Sequence, residues 1–308
     1  MNASRAIAGL ASLPAGVLRA AAPREAVPAA EGLPVVGRWQ PTRWIAAGRW
    51  TRVVRARPID AAWDDRGDFA LKIAATGANA PLARAQLQRE ASVCREVQHA
   101  SLTTVLADHS AGDPAYLVLP YLEGITLREV ARRPQVSVSL ACQIARQVAE
   151  ALAQLHEAAW LHGDVKPDNV LLAAAGHATL LDLGMARRLD GEECRTDRWL
   201  ATTIGYAAPE SFSPQATLTT AADTYSLGVV LFELLAGRPL FESSDPTELV
   251  RRHRRLAPPQ LHAIRPQATP NLSRLIGRML AKEPLRRPCA SEIVRELVEI
   301  EIEQFGLL

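Results

Sequence analysis

His162-Gly163-Asp164-Val165-Lys166-Pro167-Asp168-Asn169 is the stretch that decides the fold of this 308-residue chain. Trp160-Leu161 precedes it and Val170-Leu171-Leu172 follows, so a polar run is strung between apolar anchors. A loop held at both ends in a core can aim its side chains accurately. Thirteen residues after Asn169 comes Asp182-Leu183-Gly184, again directly behind an apolar pair, Leu180-Leu181. Two acids and an amide on neighbouring loops supply the hard oxygen ligands that magnesium takes, with waters and phosphate oxygens completing its shell. Upstream, Lys72 lies in Phe69-Ala70-Leu71-Lys72-Ile73, where alternation flanks it with buried neighbours. A charge in such a place needs partners.

The surrounding composition bounds what kind of protein carries these loops. With 48% apolar and 22% charged residues, the chain is an ordinary globular protein, not a disordered tail, a collagen or a low-complexity array. Its length suggests roughly two domains of about 150 residues. No stretch free of Asp, Glu, Lys and Arg exceeds 13 residues, which excludes a transmembrane helix of roughly 20 apolar ones. The net charge of +2 calls for no polyanionic partner such as nucleic acid. Cys94, Cys142, Cys194 and Cys289 are scattered without a C-x-x-C pair, so neither a disulfide framework nor a zinc site is expected, and a reducing cytoplasm fits best. Of the 35 basic residues only Lys72, Lys166 and Lys282 are lysine. Arginine replaces lysine on a solvated surface at little cost, but not where a compact, flexible ammonium is required. A surviving lysine is therefore a place to look.

Residues 1–40 form an arm with 11 alanines in its first 30 positions, broken by Pro14, Pro23, Pro28 and Pro34, and it is expected to be flexible. Its run from Ala6 to Leu18 is only faintly like a signal peptide, weakened by Pro14 and Arg19. From Arg43 to Leu119, the β-rich runs Trp44–Ile45, Thr51–Val54, Phe69–Ile73 and Tyr116–Leu119 surround one helical stretch from Pro81 to Val97, predicting a small sheet with one helix. Beyond Tyr121, Leu140, Ile144, Val148, Leu152 and Leu155 recur at helical spacing behind Ser139, read as the cap. Tyr225–Leu235 is apolar on nearly all sides, which predicts a central buried helix stopped by Gly237.

Taken together, these loops resemble the eukaryotic-type protein kinases, of the Ser/Thr kind common in bacteria, over about residues 41–303. The pattern H-x-D-x-K-x-x-N matches Asp164, Lys166 and Asn169, and the Asp-Phe-Gly pattern matches Asp182-Leu183-Gly184. Ala208-Pro209-Glu210, Asp223 in Asp-Thr-Tyr-Ser-Leu-Gly, and Arg287 before Pro288 follow in the family's order. The resemblance implies an α+β, bilobal fold: a β-rich small lobe over 41–119, a hinge at 120–122 and a helical large lobe over 123–303. It implies ATP and Mg2+ as cofactors and protein Ser/Thr hydroxyls as acceptors. Lys72 would hold the α- and β-phosphates, oriented by Glu90 on the single helix, with Glu96 a nearby alternative. Asp182 and Asn169 would hold the metal, Asp164 would take the acceptor's proton, and Lys166 would meet the transferring phosphate. Thr203 matches the threonine that contacts the catalytic loop. Leu119 would be the gatekeeper, the backbone of Pro120 and Leu122 would read adenine, and Val53, Ala70 and Leu171 would sandwich it.

Two departures stand out. The phosphate-covering G-x-G-x-x-G reads Ala46-Ala47-Gly48-Arg49-Trp50-Thr51, keeping only Gly48, which puts ATP affinity in question and leaves Arg49 as a substitute phosphate contact. Gly163 replaces the arginine that pairs with a phosphorylated activation segment, so Thr196 and Thr202 are possible autophosphorylation sites that activity does not require. Taken singly, Asp164 and Asp182 read as loop acids capping helices, and only the ordered set reverses that. Lys282 reads as a solvated surface lysine, Cys194 as an incidental thiol, Arg251–Arg255 as a solvated helix face and turn, and His156, His177 and His262 as structural histidines. Two alternative functions compete: a small-molecule phosphotransferase of the aminoglycoside or choline kinase type, and a pseudokinase binding module. With no sensor or anchor segment read, regulation is expected to come from another protein or from expression.

Overall fold

The computed structural model describes residues 33–60, 69–133, 136–189, 204–213, 217–304 and 306. Cys194, Thr196, Thr202, Thr203 and most of the 1–40 arm lie outside the described residues.

The first lobe is a five-stranded antiparallel sheet in the order β1-β2-β3-β5-β4, made of β1 (Trp39–Ala47), β2 (Thr51–Pro58), β3 (Phe69–Ala74), β4 (Ala107–His109) and β5 (Tyr116–Pro120). The first two strands run well beyond the short runs Trp44–Ile45 and Thr51–Val54 read from sequence. β1 is stitched to β2 across bulges between Pro41 and Arg43 and between Trp44 and Ala46, where the alternation that sequence reading relies on is interrupted. Register gives the sheet two different faces. Val54, Leu71 and Val118 stand on one and form a small core with Val36 and Trp39. Val53 pairs with Lys72 and Lys72 with Leu117, so these share the other face with Ala70.

Helix α1 (Ala80–Glu96) packs on that second face, burying Leu87 and Ala91 against Leu117. It carries Pro81 in its first turn, where the ring costs no hydrogen bond. After β5 the chain enters the larger lobe. Short strand β6 (Ile125–Thr126) leads into α2 (Leu127–Ala131), whose Thr126 and Glu129 form a reciprocal capping box. Helix α3 (Val138–Glu157) follows, and its cap is Ser137, which accepts from the Leu140 amide at 3.1 Å, not Ser139. A cap must lie outside the helix with extended backbone, and Ser137 has it (φ −66°, ψ 149°).

Strands β7 (Trp160–Leu161), β8 (Val170–Leu172), β9 (Ala178–Leu180) and β10 (Arg187–Arg188) hold the polar loops between them: β10 pairs with β7, and β8 with both β6 and β9. Helix α4 (Ala221–Ala236) runs through the lobe with Tyr225, Leu231 and Phe232 wholly buried, and stops at Gly237 in the left-handed region (φ +67°). Helices α5 (Pro246–Arg255), α6 (Leu261–Ile264), α7 (Pro270–Met279) and α8 (Ala290–Gln304) pack around it and α3. The basic run on α5 is only partly a solvated face: Arg251, Arg254 and Arg255 are exposed, but His253 is fully buried. No helix among the described residues is long and apolar enough to cross a membrane.

Candidate active site

Lys72 enters the site from β3 and is 5% exposed. Its Nζ donates to Glu90 Oε2 at 2.5 Å and to Asp182 Oδ1 at 2.7 Å. Burial alone would depress the ammonium, but Asp182 and Glu90 outweigh it and hold its pKa above the usual lysine range. Glu90, buried at 1% exposure, is pushed above the usual carboxylate range by burial, with Lys72 pulling against it. Asp182 goes the other way, because Lys72 overcomes burial and draws its carboxyl down to about 2. Glu96, the nearby alternative to Glu90, is engaged elsewhere, accepting from Trp160 Nε1 at 2.9 Å and Arg188 at 2.8 Å.

Helix α1 reaches this position because the chain after Asp182 makes room for it. Asp182 is left-handed (φ +65°) and accepts from the Gly184 amide at 3.2 Å, opening a 3-10 turn over Leu183–Met185. A Cβ on Gly184 would lie 3.2 Å from Gln86 Cβ of α1, closer than packing accommodates without a shift, so glycine permits the approach. Arg89 then donates to the Gly184 carbonyl at 3.0 Å. Leu183, in place of the usual phenylalanine, is fully buried and fills the apolar slot.

The catalytic-loop residues form a second cluster. Lys166 Nζ lies 2.5 Å from Asp164 Oδ2, and Asn169 Nδ2 donates to the Asp164 carbonyl at 2.9 Å and to its Oδ2 at 3.0 Å. Burial pushes the Asp164 carboxyl above the usual aspartate range, with Lys166 opposing. His162 is wholly buried, its Nδ1 accepting from the Asp164 amide at 3.2 Å and its Nε2 donating to the Leu181 carbonyl at 3.1 Å, which ties the two polar loops together. Asp223, at the start of α4, accepts from the amides of His162 (2.8 Å) and Gly163 (2.9 Å) and from His156 Nε2 (2.9 Å). These donors overcome the effect of burial and hold its carboxyl below the usual range. His156 therefore does what was expected of a structural histidine.

Gly163 lies at φ +79°, and a Cβ there would come 2.9 Å from the Met185 carbonyl. The position that usually carries an arginine is thus both left-handed and closed by backbone. In the β1–β2 hairpin, the Gly48 amide donates to the Thr51 carbonyl at 2.8 Å, so Arg49 and Trp50 form its tip, with the Arg49 guanidinium stacked 4.6 Å above the Trp50 ring. Val53 and Leu171 are half-buried and Ala70 is buried. Leu119 is buried at the end of β5, while Pro120 and Leu122 line a groove of about 550 Å3 with His99, Thr103, His177 and Thr179.

Asp182 and Asn169 offer oxygen donors, and no cluster of three or more His, Cys, Asp or Glu suited to a metal occurs among the described residues. One or two protein oxygens completed by phosphate oxygens is what a magnesium–nucleotide complex requires, so the donor set fits.

Sequence reading missed Lys282. It is not a solvated lysine: its Nζ donates to the His253 carbonyl at 2.8 Å and stands 5.0 Å from the Phe241 ring centre and 5.6 Å from that of Tyr225. The only signal in the sequence was lysine's rarity. Arg287, by contrast, was legible by motif, and it grips Glu210 through Nη1 (2.6 Å) and Nη2 (2.8 Å).

The chain is 31% identical over 216 residues to the serine/threonine-protein kinase pkn2 of Myxococcus xanthus, covering 66% of this chain and 25% of that protein. It is 35% identical over 217 residues to PkaA of Streptomyces coelicolor (68% and 38%), and 28% over 258 residues to PrkC of Bacillus subtilis (83% and 39%). The chain thus spans only about a quarter to two fifths of the length of these curated relatives. The model of the protein kinase domain matches residues 43–298, a span that contains both clusters, the Glu210–Arg287 pair and the helix that supports them. The chain belongs to the protein kinase family.

Proposed function

We propose that the chain is a protein serine/threonine kinase that moves the γ-phosphate of ATP to hydroxyls of protein substrates. The observation that carries this reading is the pair of charge clusters, Lys72–Glu90–Asp182 and Asp164–Lys166–Asn169, bridged through His162. Phosphoryl transfer needs a cation on the nucleotide phosphates, oxygen ligands for a metal, a base beside the acceptor and a cation where charge develops, and each is supplied here. In the proposed reaction Lys72 holds the α- and β-phosphates. The acceptor oxygen bonds to the γ-phosphorus, its proton passes to Asp164, and the bond to the β-phosphate oxygen breaks to leave ADP. Lys166 swings from Asp164 onto the transferring group and neutralises it. Asp182 and Asn169 would hold Mg2+, which when bound would screen the phosphate charge.

Val53, Ala70 and Leu171 sandwich adenine, and the backbone of Pro120 and Leu122 reads its edge. Pro120 lacks an amide but keeps its carbonyl as acceptor. Gly48 and Arg49 cover the phosphates. Because Gly163 offers no guanidinium, control does not pass through the residue before Asp164, and a regulatory partner takes that place. Cys94 and Cys142, buried thiols pushed up to about 12 by burial, suit a reducing cytoplasm.

The alternative of a small-molecule phosphotransferase is disfavoured by the Ala208-Pro209-Glu210 segment clamped by Arg287, a peptide-binding element. A pseudokinase leaves both clusters without a purpose. The test is to incubate the purified chain with γ-labelled ATP, magnesium and myelin basic protein beside an Asp164→Asn control. Label incorporated by the native chain and not by the variant is expected. Equal label in both, or none in either although nucleotide binds, would sink the catalytic reading.

A further inference from the structure

Lys282 is the one lysine that the phosphoryl-transfer chemistry leaves over. Its ammonium joins three parts of the larger lobe: His253 of α5 through the carbonyl, Tyr225 of α4 and Phe241 of the following segment through ring faces. The cage is itself braced. Tyr225 Oη and His253 Nδ1 are 3.0 Å apart, and the His253 ring meets Phe241 edge-on at 5.1 Å between centres. Arg287 lies over the same Tyr225 ring at 4.9 Å while it grips Glu210. Two ring faces and one carbonyl suit a compact ammonium, whereas a guanidinium's five-donor fork would leave donors unpaired. That is a physical reason for lysine to persist here among arginines.

Two of the elements this ammonium holds also bound an open groove. Phe241 and Leu249 of α5 line a cavity of about 510 Å3 together with Tyr206, Val229, Glu233 and Leu240. Glu233 accepts from Tyr206 at 2.5 Å and Arg128 at 2.8 Å, and Arg128 reaches Asp168 of the catalytic loop at 3.0 Å. The groove is therefore wired to the loop that carries Asp164.

We propose that Lys282 is a positioning residue for the polypeptide substrate, clamping Phe241 and α5 so that the groove accepts the stretch flanking the acceptor Ser or Thr. This rests on the kinase reading above. The titratable and charged groups that face Lys282 are His253 from α5, Tyr225 from α4, and Arg287, itself held by Glu210. Burial keeps His253 down at about 4 and pushes Tyr225 above its usual range. Burial and then Arg287 bring Lys282 down to about 8, so it loses its charge in mildly alkaline solution.

The experiment measures KM for myelin basic protein and KM for ATP across pH, in the native chain, Lys282→Met and Lys282→Arg. In the native chain KM for the protein rises about fivefold as pH passes through about 8, with KM for ATP unmoved. Lys282→Met has the raised value at every pH, and Lys282→Arg shows no pH dependence. The native pH series stands even where a variant fails to fold. A flat native KM across that range, or a Lys282→Arg profile identical to the native one, overturns the positioning role while leaving the kinase reading intact. No transfer to protein by the native chain overturns the kinase reading itself, and this proposal with it.

Discussion

At the scale of single residues, Asp164 is held between burial, which favours its neutral form, and Lys166 at 2.5 Å, which favours the carboxylate. In the proposed reaction only the carboxylate can accept a proton, so kcat/KM is expected to fall as pH drops through the Asp164 pKa, which lies above the ordinary aspartate value. Lys166→Met removes the opposing charge. The acidic limb of the pH profile then moves to higher pH, on top of the loss of rate expected from removing the proposed phosphate contact. A limb that stays put or moves down would assign the profile to another group. Lys72 gives a second prediction. Lys72→Met leaves the Glu90 carboxylate buried without its cation, a loss of roughly 3–5 kcal/mol. That lowers Tm by roughly 10 °C in a domain of this size. Adding Glu90→Met removes the more deeply buried of the two carboxylates that lose their cation, Asp182 being the other, so the double variant regains part of the lost Tm in a calorimetric scan yet stays inactive in the labelling assay.

At the scale of elements, the catalytic loop is suspended from α4. Asp223 alone receives two consecutive loop amides and the His156 ring. Asp223→Ala orphans one buried and two half-buried donors, the buried one at about 1–3 kcal/mol, so a fall in Tm and in kcat is expected, measured by thermal melting and steady-state kinetics. Retention of kcat in folded protein would show that the loop holds its shape unaided. Gly163→Arg tests the other end of the same turn. Its left-handed backbone costs a side chain about 1–2 kcal/mol, and the Met185 carbonyl stands where the Cβ would go, so the variant melts lower and gains no response to activation-segment phosphorylation. The spacing of these elements was legible because polar loops between apolar anchors leave a pattern, and α4 because its apolar residues run round the helix. Their ends were less so. Ser137 and Ser139 are both good caps in isolation, and only the tertiary placement of the chain entering α3 chooses between them. The length of β1 was hidden by bulges that break its alternation.

At the scale of the molecule, the core of the larger lobe reaches across the boundary to take in Val93, Cys94 and Val97 at the end of α1 and Leu102, and polar contacts add to it: Lys72 of the sheet reaching Asp182, Arg89 reaching Gly184, and the Thr103 amide bonded to Leu180 at 2.8 Å. Sequence patterns reveal cores through periodicity, but contacts between distant loops leave no period, and motif order alone brought Lys72, Glu90 and Asp182 into one reading. Lys282 had no motif role, so its cage stayed invisible. Arg287 lies at the other end of this wiring, and its side chain is wholly buried. All five of its N–H donors are used: two on Glu210 and one each on the carbonyls of Ala281, Ala221 and Lys282. Arg287→Met strands the Glu210 carboxylate and three carbonyls, so a loss of at least roughly 3–5 kcal/mol is expected. Arg287→Lys keeps the charge but offers three donors for five acceptors, and should melt between the native chain and the methionine variant. Because these bonds lie in the larger lobe and the Lys72 cluster in the cleft, the folded lysine variant should keep its KM for ATP while its KM for protein rises. An Arg287→Lys variant as stable as the native chain would show that the fork geometry at Glu210 is dispensable and that charge alone anchors this segment.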